Sequence, residues 1–210
     1  MSPNVKAAAE CVLLGCTAVL DQEAHMRALG VAAAIVSVVG GGLVAQRQNA
    51  GPISAGLSPS QEVPVVLSPG AQGRFNAVIN GDSIDYELTF SGLQAEARQS
   101  HIHVAQPGVN GGIVVWLCQT VAPTPSPSPD PVNPATQLCP LNGGTIAGTI
   151  VPSDVRAVAA QGLATTLLPA ERFERLVDAI RNGQAYANVH TLQSPGGEIR
   201  GQIGVGAGHK

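Results

Sequence analysis

Charged and aromatic side chains are scarce in this chain of 210 residues. Asp, Glu, Lys and Arg make up 12% of the sequence, roughly half of the share that is usual in soluble proteins. Aromatic residues make up only 3%, so a hydrophobic core has to be built from Val, Ile, Leu and Ala. The formal net charge of −3 provides no basic surface for nucleic acid, and we expect no nucleic-acid partner.

Glycine and proline are plentiful, with 25 and 16 residues, which suits many short strands joined by turns. Hydrophobic residues make up 44% of the chain and are patterned, which excludes a wholly disordered protein. Residues 84–90 read IDYELTF, in which apolar and polar side chains alternate as in a strand with one buried face. The preceding pair Asn80-Gly81 predicts a tight hairpin.

The fold class follows from the balance of strand and helix signals. Strands dominate, and two short helices, predicted at residues 153–162 and 169–182, interrupt them rather than alternate with them. This pattern predicts an all-β protein with an antiparallel sandwich or barrel. Of the two we expect the β-sandwich, of immunoglobulin-like or superoxide-dismutase-like architecture. Further strand candidates lie at residues 61–67, 74–79, 101–104, 112–118, 144–151, 185–190 and 198–203.

Residues 28–45 form an uncharged run of 18 residues, the lower limit for a helix that spans a bilayer. Two interpretations compete: an uncleaved anchor, or the apolar core of a signal peptide that starts at Met26. We favour the anchor, because the run is longer than a usual signal core. The chain is then a single-pass inner-membrane protein whose C-terminal domain is periplasmic or extracellular. The expected organisation is a cytoplasmic tail (1–27), the anchor (28–45), a linker (46–56), the folded domain (57–204) and a short tail (205–210).

Small residues recur along one side of the predicted anchor. Small side chains at such spacing let a second helix approach closely within a bilayer. The stripe predicts docking against another membrane protein; the alternative is that short anchors are rich in Ala and Gly for no such reason. The residues are Gly30, Ala33, Ala34, Ser37 and Gly41.

Cys118 and Cys139 flank a proline-rich segment that contains PTPSPSPDPVNP. A disulfide between them would close this loop and would require an oxidising compartment. The alternative is a pair of unrelated buried thiols. A disulfide agrees with a domain that lies outside the cytoplasm.

Five stretches of the sequence resemble the CHRD domain, which is found in chordin and in many secreted bacterial proteins. The combination of HIH, NVHT and GGEIRGQ, in that order, is specific. The resemblance implies a β-sandwich of about this length and implies no established enzymatic activity. The segment 119–142 is longer and richer in proline than the family pattern. The matching stretches are LSPSQEVP (57–64), GRFNAVINGDSIDYELTFSGL (73–93), SHIHVAQPGVNGGIVVWL (100–117), GTIAGTIVPSDV (144–155) and AYANVHTLQSPGGEIRGQI (185–203).

Three histidines lie in these motifs. His101 and His103 are two residues apart and face the same side of a strand, and His190 joins them if its strand is a neighbour. Imidazole suits copper and zinc, so these residues are candidate metal ligands. The alternative is a structural polar network without metal, which includes a Glu198–Arg200 ion pair near His190. The candidate network residues are Tyr186, Asn188, Glu198 and Arg200.

Two functions are compatible with these features. The first is an anchored binding or scaffold domain, an accessory subunit that contacts the lipid bilayer and other membrane or periplasmic proteins. The second is a periplasmic copper- or zinc-binding protein. We expect no enzymatic activity, because no nucleophile–base arrangement or phosphate-binding loop stands out. An activity like that of superoxide dismutase is a remote third hypothesis.

Overall fold

A computed structural model describes residues 52–120 and 136–205. Eight strands and one α-helix make up this part of the chain, together with three single 3₁₀ turns. The strands are β1 (Ile53–Leu57), β2 (Gln72–Asn80), β3 (Ser83–Ser91), β4 (Ala97–Val104), β5 (Ile113–Gln119), β6 (Gly144–Ile150), β7 (Ala185–Thr191) and β8 (Ile199–Val205), and the helix is α1 (Pro169–Arg181).

All eight strands belong to one antiparallel sheet with the order β5-β4-β7-β8-β1-β2-β3-β6. The prediction of an all-β antiparallel fold is confirmed. The predicted separation into the two sheets of a sandwich is wrong, because the sheet continues around the core and is nearly closed into a barrel. Its edge strands β5 and β6 approach each other, and Tyr86 of β3 donates a hydrogen bond of 3.2 Å to the Leu117 carbonyl of β5.

Strand β8 explains why the two halves form one sheet. Residues 199–203 pair with β7, whereas Gly204 and Val205 pair with the start of β1. The junction requires close backbone contact: a Cβ atom added at Gly201 would lie 2.5 Å from the carbonyl oxygen of Gly56. Glycine at position 201 therefore allows β1 to approach β8 closely.

The hairpin predicted at Asn80-Gly81 joins β2 to β3 in continuous register, with Gly81 at a φ of +66°. Along β3 the apolar side chains face the core, as the alternation predicts. Helix α1 confirms the second predicted helix and buries Phe173, Leu176 and Ile180 against the same core.

The short helical turn predicted from Ser153 to Gly162 is confirmed only in part, because no continuous helix forms there, although Gly162 ends the last turn as predicted. Two separate 3₁₀ turns, Pro152–Asp154 and Ala159–Gln161, stand in its place. The backbone between them is engaged elsewhere, since the Arg156 amide donates to the Val114 carbonyl at 2.9 Å and Val158 forms a bridge with Leu163. These contacts compete with helical hydrogen bonds.

The folded domain begins earlier than expected. Strand β1 starts at Ile53, inside the predicted linker 46–56, and residues 61–67 are not a strand. The predicted anchor (28–45), its small-residue stripe and the cytoplasmic tail lie outside the described residues, as does nearly all of the tail at 205–210. Within residues 52–120 and 136–205, α1 is too short and too polar to cross a bilayer.

The disulfide between Cys118 and Cys139 is confirmed. It links the end of edge strand β5 to the segment that leads into edge strand β6. Gln119 and Gln137 reinforce this link, because the Gln119 amide donates to the Gln137 carbonyl at 2.9 Å. The bridge therefore fastens the sheet where its two edges approach each other.

Candidate functional site

Side chains on the outer face of β7 define the candidate site. Ala185, Ala187 and Val189 point into the core, so Tyr186, Asn188 and His190 point to the opposite side of the sheet. Strands that are buried on both faces usually carry apolar side chains throughout. Here one buried face is polar and aromatic, which marks it as unusual.

The neighbouring strands add residues to the same face. His101 is paired with Asn188 and His103 with Tyr186 across β4 and β7, and Asn188 is paired with Arg200 of β8. Directly paired residues share a face, so these side chains form one layer. We call it the histidine layer, which consists of His101, His103, Trp116, Tyr186, Asn188, His190 and Arg200.

Two loops cover the histidine layer through their backbone carbonyls. In loop 105–112, the Gly111 carbonyl accepts from His103 Nδ1 at 3.0 Å and the Val109 carbonyl accepts from Arg200 at 2.8 Å. In turn 194–197, the Pro195 carbonyl accepts from His190 Nδ1 at 2.9 Å. The cover leaves His101 0% and His103 6% exposed.

The three histidine rings meet beneath this cover. His101 Nδ1 lies 3.2 Å from His190 Nε2, and one ring nitrogen from each of the three residues lies within 4.8 Å of the others. Because His103 and His190 each donate Nδ1–H to a backbone carbonyl, their Nε2 lone pairs are left for other partners. The structure thus brings together the three residues that the sequence proposes as metal ligands.

Burial keeps these imidazoles neutral. It lowers the pKa of His103 to about 4, with smaller contributions from neighbouring charges such as Arg200. Burial also lowers the pKa of His190, and it lowers the pKa of His101 well below its ordinary value. His101 Nε2 is buried and finds no hydrogen-bond partner among the described residues. Neutral imidazoles at pH 7 are the form that binds metal ions.

Tyr186 and Asn188 support His103. The Tyr186 ring stacks on the His103 ring at 4.6 Å and 4°, and the Arg200 guanidinium lies 3.4 Å from the centre of the Tyr186 ring. The Asn188 amide oxygen lies 3.1 Å from His103 Nε2. With the amide rotated, its NH₂ group donates to the Nε2 lone pair. Asn188 therefore satisfies this lone pair without metal and has to turn away if His103 binds an ion.

Glu198 has a structural role outside the layer. Its carboxylate accepts hydrogen bonds from Ser68 Oγ and Thr191 Oγ1, each at 2.6 Å, and from the Gln94 amide at 2.7 Å. Glu198 and Arg200 have separate partners instead of the ion pair that the sequence suggests. Arg200 binds the carbonyl of Val109 and the side chain of Asn110. Glu198 fastens three segments at one end of the barrel.

Two residues near the site were missed from the sequence. Trp116 places its ring edge-on to His101 at 4.1 Å. Glu62 is 4% exposed, lies against Gly197 and interacts with Arg200. Both lie in stretches that resemble the CHRD pattern, LSPSQEVP and GGIVVWL, but nothing in the local spacing places them beside the histidines.

Glu62→Gln is expected to stabilise the domain at pH 8 by about 3 kcal/mol. Burial raises the pKa of Glu62 from 4.5 to about 7, so its charged form disfavours folding. That penalty appears as pH rises from 4.5 through 7, and the gain from the substitution should vanish near pH 4.5. Urea unfolding at both pH values measures it, with exposed Glu87→Gln as the control. Equal gains at both pH values would contradict the assignment.

A comparison with protein-family models gives a match to the CHRD domain over residues 53–203. The matched range covers more than half of the chain and contains the whole histidine layer. The chain belongs to the CHRD domain family. The match begins at the first residue of β1, in agreement with the structural start of the domain. Searches of curated proteins and of solved structures give no match to this CHRD domain protein.

Proposed function

We propose that this CHRD domain binds one copper or zinc ion through His101, His103 and His190, in a compartment outside the cytoplasm. The observation that carries the proposal is the meeting of three neutral imidazoles beneath two loops. Metal-binding histidines usually donate their second N–H to a carbonyl or carboxylate, which fixes the ring. His103 and His190 both have such a donor contact.

Distances support the same proposal. Two nitrogens bound at about 2.0 Å to one tetrahedral ion lie about 3.3 Å apart. The separation of 3.2 Å between His101 Nδ1 and His190 Nε2, which in the metal-free protein is an N–H···N hydrogen bond, is close to this value, so an ion that replaces the shared proton requires little movement of the two rings. His103 requires a small shift, together with rotation of Asn188 away from its ring. The Cys118–Cys139 disulfide supports an oxidising location for the domain.

The test is metal content and thermal shift of the full-length protein. Wild type is expected to bind about one equivalent of copper or zinc and to unfold at a higher temperature when the metal is added. The His101→Ala/His103→Ala variant should do neither, and His209→Ala, outside the matched domain, should behave as wild type. Circular dichroism checks that the double variant still folds. Absence of both bound metal and a thermal shift in wild type would refute the proposal.

A second candidate is an anchored binding scaffold, in which residues 28–45 hold the domain at the inner membrane as an accessory subunit. Membership of the CHRD family is consistent with a binding domain. The disulfide fixes both ends of the proline-rich segment 119–138 on one rim of the barrel. A loop fixed on a rigid scaffold suits recognition of another membrane or periplasmic protein.

Native mass spectrometry of detergent-extracted protein tests this second candidate. We expect a complex with a membrane protein that is lost in Ala33→Leu/Ser37→Leu, because bulky residues on the stripe prevent close helix packing. The matched control is Val36→Leu/Val38→Leu, which changes residues outside the stripe. Extraction of a wild-type monomer without a partner, or recovery of all the protein without detergent, would contradict it.

A further inference from the structure

The charges around the three histidines distinguish between metal ions. An imidazole binds a metal ion in its neutral form, and the nearest polar neighbour of His103 Nε2 is the uncharged amide of Asn188. Among the described residues, no carboxylate or thiolate lies close enough to the histidine nitrogens to act as a further ligand. The candidate ligand set therefore supplies no negative charge to a bound ion.

Arg200 adds a positive charge to this surrounding. Its guanidinium lies on Tyr186, and Tyr186 lies on His103, so the three groups form a continuous stack. Arg200 interacts with the carboxyl group of Glu62. That carboxyl group is not among the atoms that could bind an ion together with the three histidines. A cation among the histidines is repelled by Arg200 in proportion to its own charge.

Burial increases the importance of ionic charge. His101 is fully buried and His103 nearly so. The free energy needed to move an ion from water into a medium of low dielectric constant rises with the square of its charge. It is therefore about four times as large for a divalent ion as for a monovalent ion of similar size. Zn²⁺ also prefers four ligands, so it has to bring a water molecule into the covered site in addition to the three histidines. Cu(I) is monovalent and accepts low coordination numbers.

We infer that the histidine layer selects Cu(I) over Zn²⁺, an inference that rests on the metal binding proposed above. The site takes up the ion already reduced, with no electron transfer by the protein. Three neutral donors, a nearby guanidinium and a covered position all favour the ion of lower charge.

Competition with chromophoric chelators measures the two affinities in the full-length protein. Cu(I) is supplied without oxygen in the presence of ascorbate, which spares the Cys118–Cys139 disulfide. We expect Cu(I) to bind about 100-fold more tightly than Zn²⁺. Zn²⁺ binding as tight as Cu(I) binding would overturn the selectivity and leave the metal site standing. Binding of neither ion would overturn the metal site itself.

Asn188→Asp provides an independent test at nearly constant shape. Asn188, whose amide lies 3.1 Å from His103 Nε2 in the metal-free protein, turns away when the ion binds, so the new carboxylate adds a negative charge near the ion without replacing a histidine ligand. The attraction between this carboxylate and a divalent ion is twice as strong as for a monovalent ion. If the affinity for Cu(I) rises f-fold, the affinity for Zn²⁺ should therefore rise about f²-fold. Asn76→Asp on β2, outside the layer, should change neither affinity. Equal gains for the two ions in Asn188→Asp would overturn the role assigned to charge.

Discussion

Acidification of the metal-free protein from pH 7 to pH 4 is expected to remove about 3 kcal/mol from its free energy of unfolding through His103 alone. The pKa of His103 is about 4 in the folded state, against 6.5 when it is unperturbed. The unfolded chain therefore binds more protons between these values. The stability contributed by neutral His103 is complete above pH 6.5 and is lost as pH falls towards 4.

His101 and His190 act in the same direction, because burial lowers the pKa of both. Glu62 acts in the opposite direction, since its pKa of about 7 in the folded state lies above 4.5. Acidification from pH 7 to 4.5 protonates Glu62 and so removes the destabilisation caused by its buried charge. This gain in the free energy of unfolding offsets the loss caused by about one of the histidines. The net result is a loss of stability in acid that becomes larger in Glu62→Gln.

Urea unfolding with a chelator present, at four pH values between 4 and 7.5, measures this balance. Glu62→Gln isolates the histidines, and Glu62→Gln/His103→Asn should flatten the pH dependence by about one proton. His103→Asn has the further use of separating titration from packing, because its packing defect is the same at every pH. Stability of Glu62→Gln that does not change with pH would show that the histidines are charged or exposed in the folded protein.

Much of the candidate site follows from the alternation of side chains along strands. The HIH motif places His101 and His103 on one face, and NVH places Asn188 and His190 on one face, because the side-chain period of a strand is two. What the sequence leaves open is that β4 and β7 are neighbours. These strands are more than 80 residues apart, and their register depends on the packing of the whole sheet.

Side-chain patterns do not predict that loop 105–112 and turn 194–197 cover the histidine layer. The partners of His103 and His190 are the carbonyls of Gly111 and Pro195, and a backbone carbonyl has no sequence signature. A Cβ atom at Gly111 would collide with the Val104 carbonyl, so the loop requires glycine there to lie close to β4. Glu62 was missed for a related reason, since it belongs to a loop that packs against turn 194–197, within residues 61–67 for which the sequence predicts a strand.

The joining of all eight strands into one sheet also could not be predicted from the pattern within each strand. Sandwich and barrel share the same alternation within each strand and differ in whether the two halves are joined. The join depends on β1 and β8, and β1 reads ISAGL, a short run whose serine and glycine weaken its strand signal. The membrane anchor at 28–45 stays a prediction, because it lies outside the described residues.

Removal of the Cys118–Cys139 disulfide is expected to lower the free energy of unfolding by about 3 kcal/mol. The bridge joins cysteines that are 21 residues apart in sequence, and most of its effect comes from the restriction of the unfolded chain. Cys118→Ala/Cys139→Ala tests this value by urea unfolding of the full-length protein. Cys11→Ala/Cys16→Ala keeps the bridge and should match wild type.

The position of the disulfide adds a local effect that loop entropy alone does not produce. Without it, edge strands β5 and β6 remain linked through Gln137, whose carbonyl accepts from the Gln119 amide of β5 and whose side chain donates to the Ala147 carbonyl of β6. Amide exchange in Ile113–Gln119 and Gly144–Ile150 should therefore accelerate more than exchange in β1 and β2, because the edges open before the centre of the sheet. A uniform acceleration across all strands would show that the bridge acts only on the unfolded chain. An unchanged free energy of unfolding would show that the contacts of Gln137 hold the sheet edges without it.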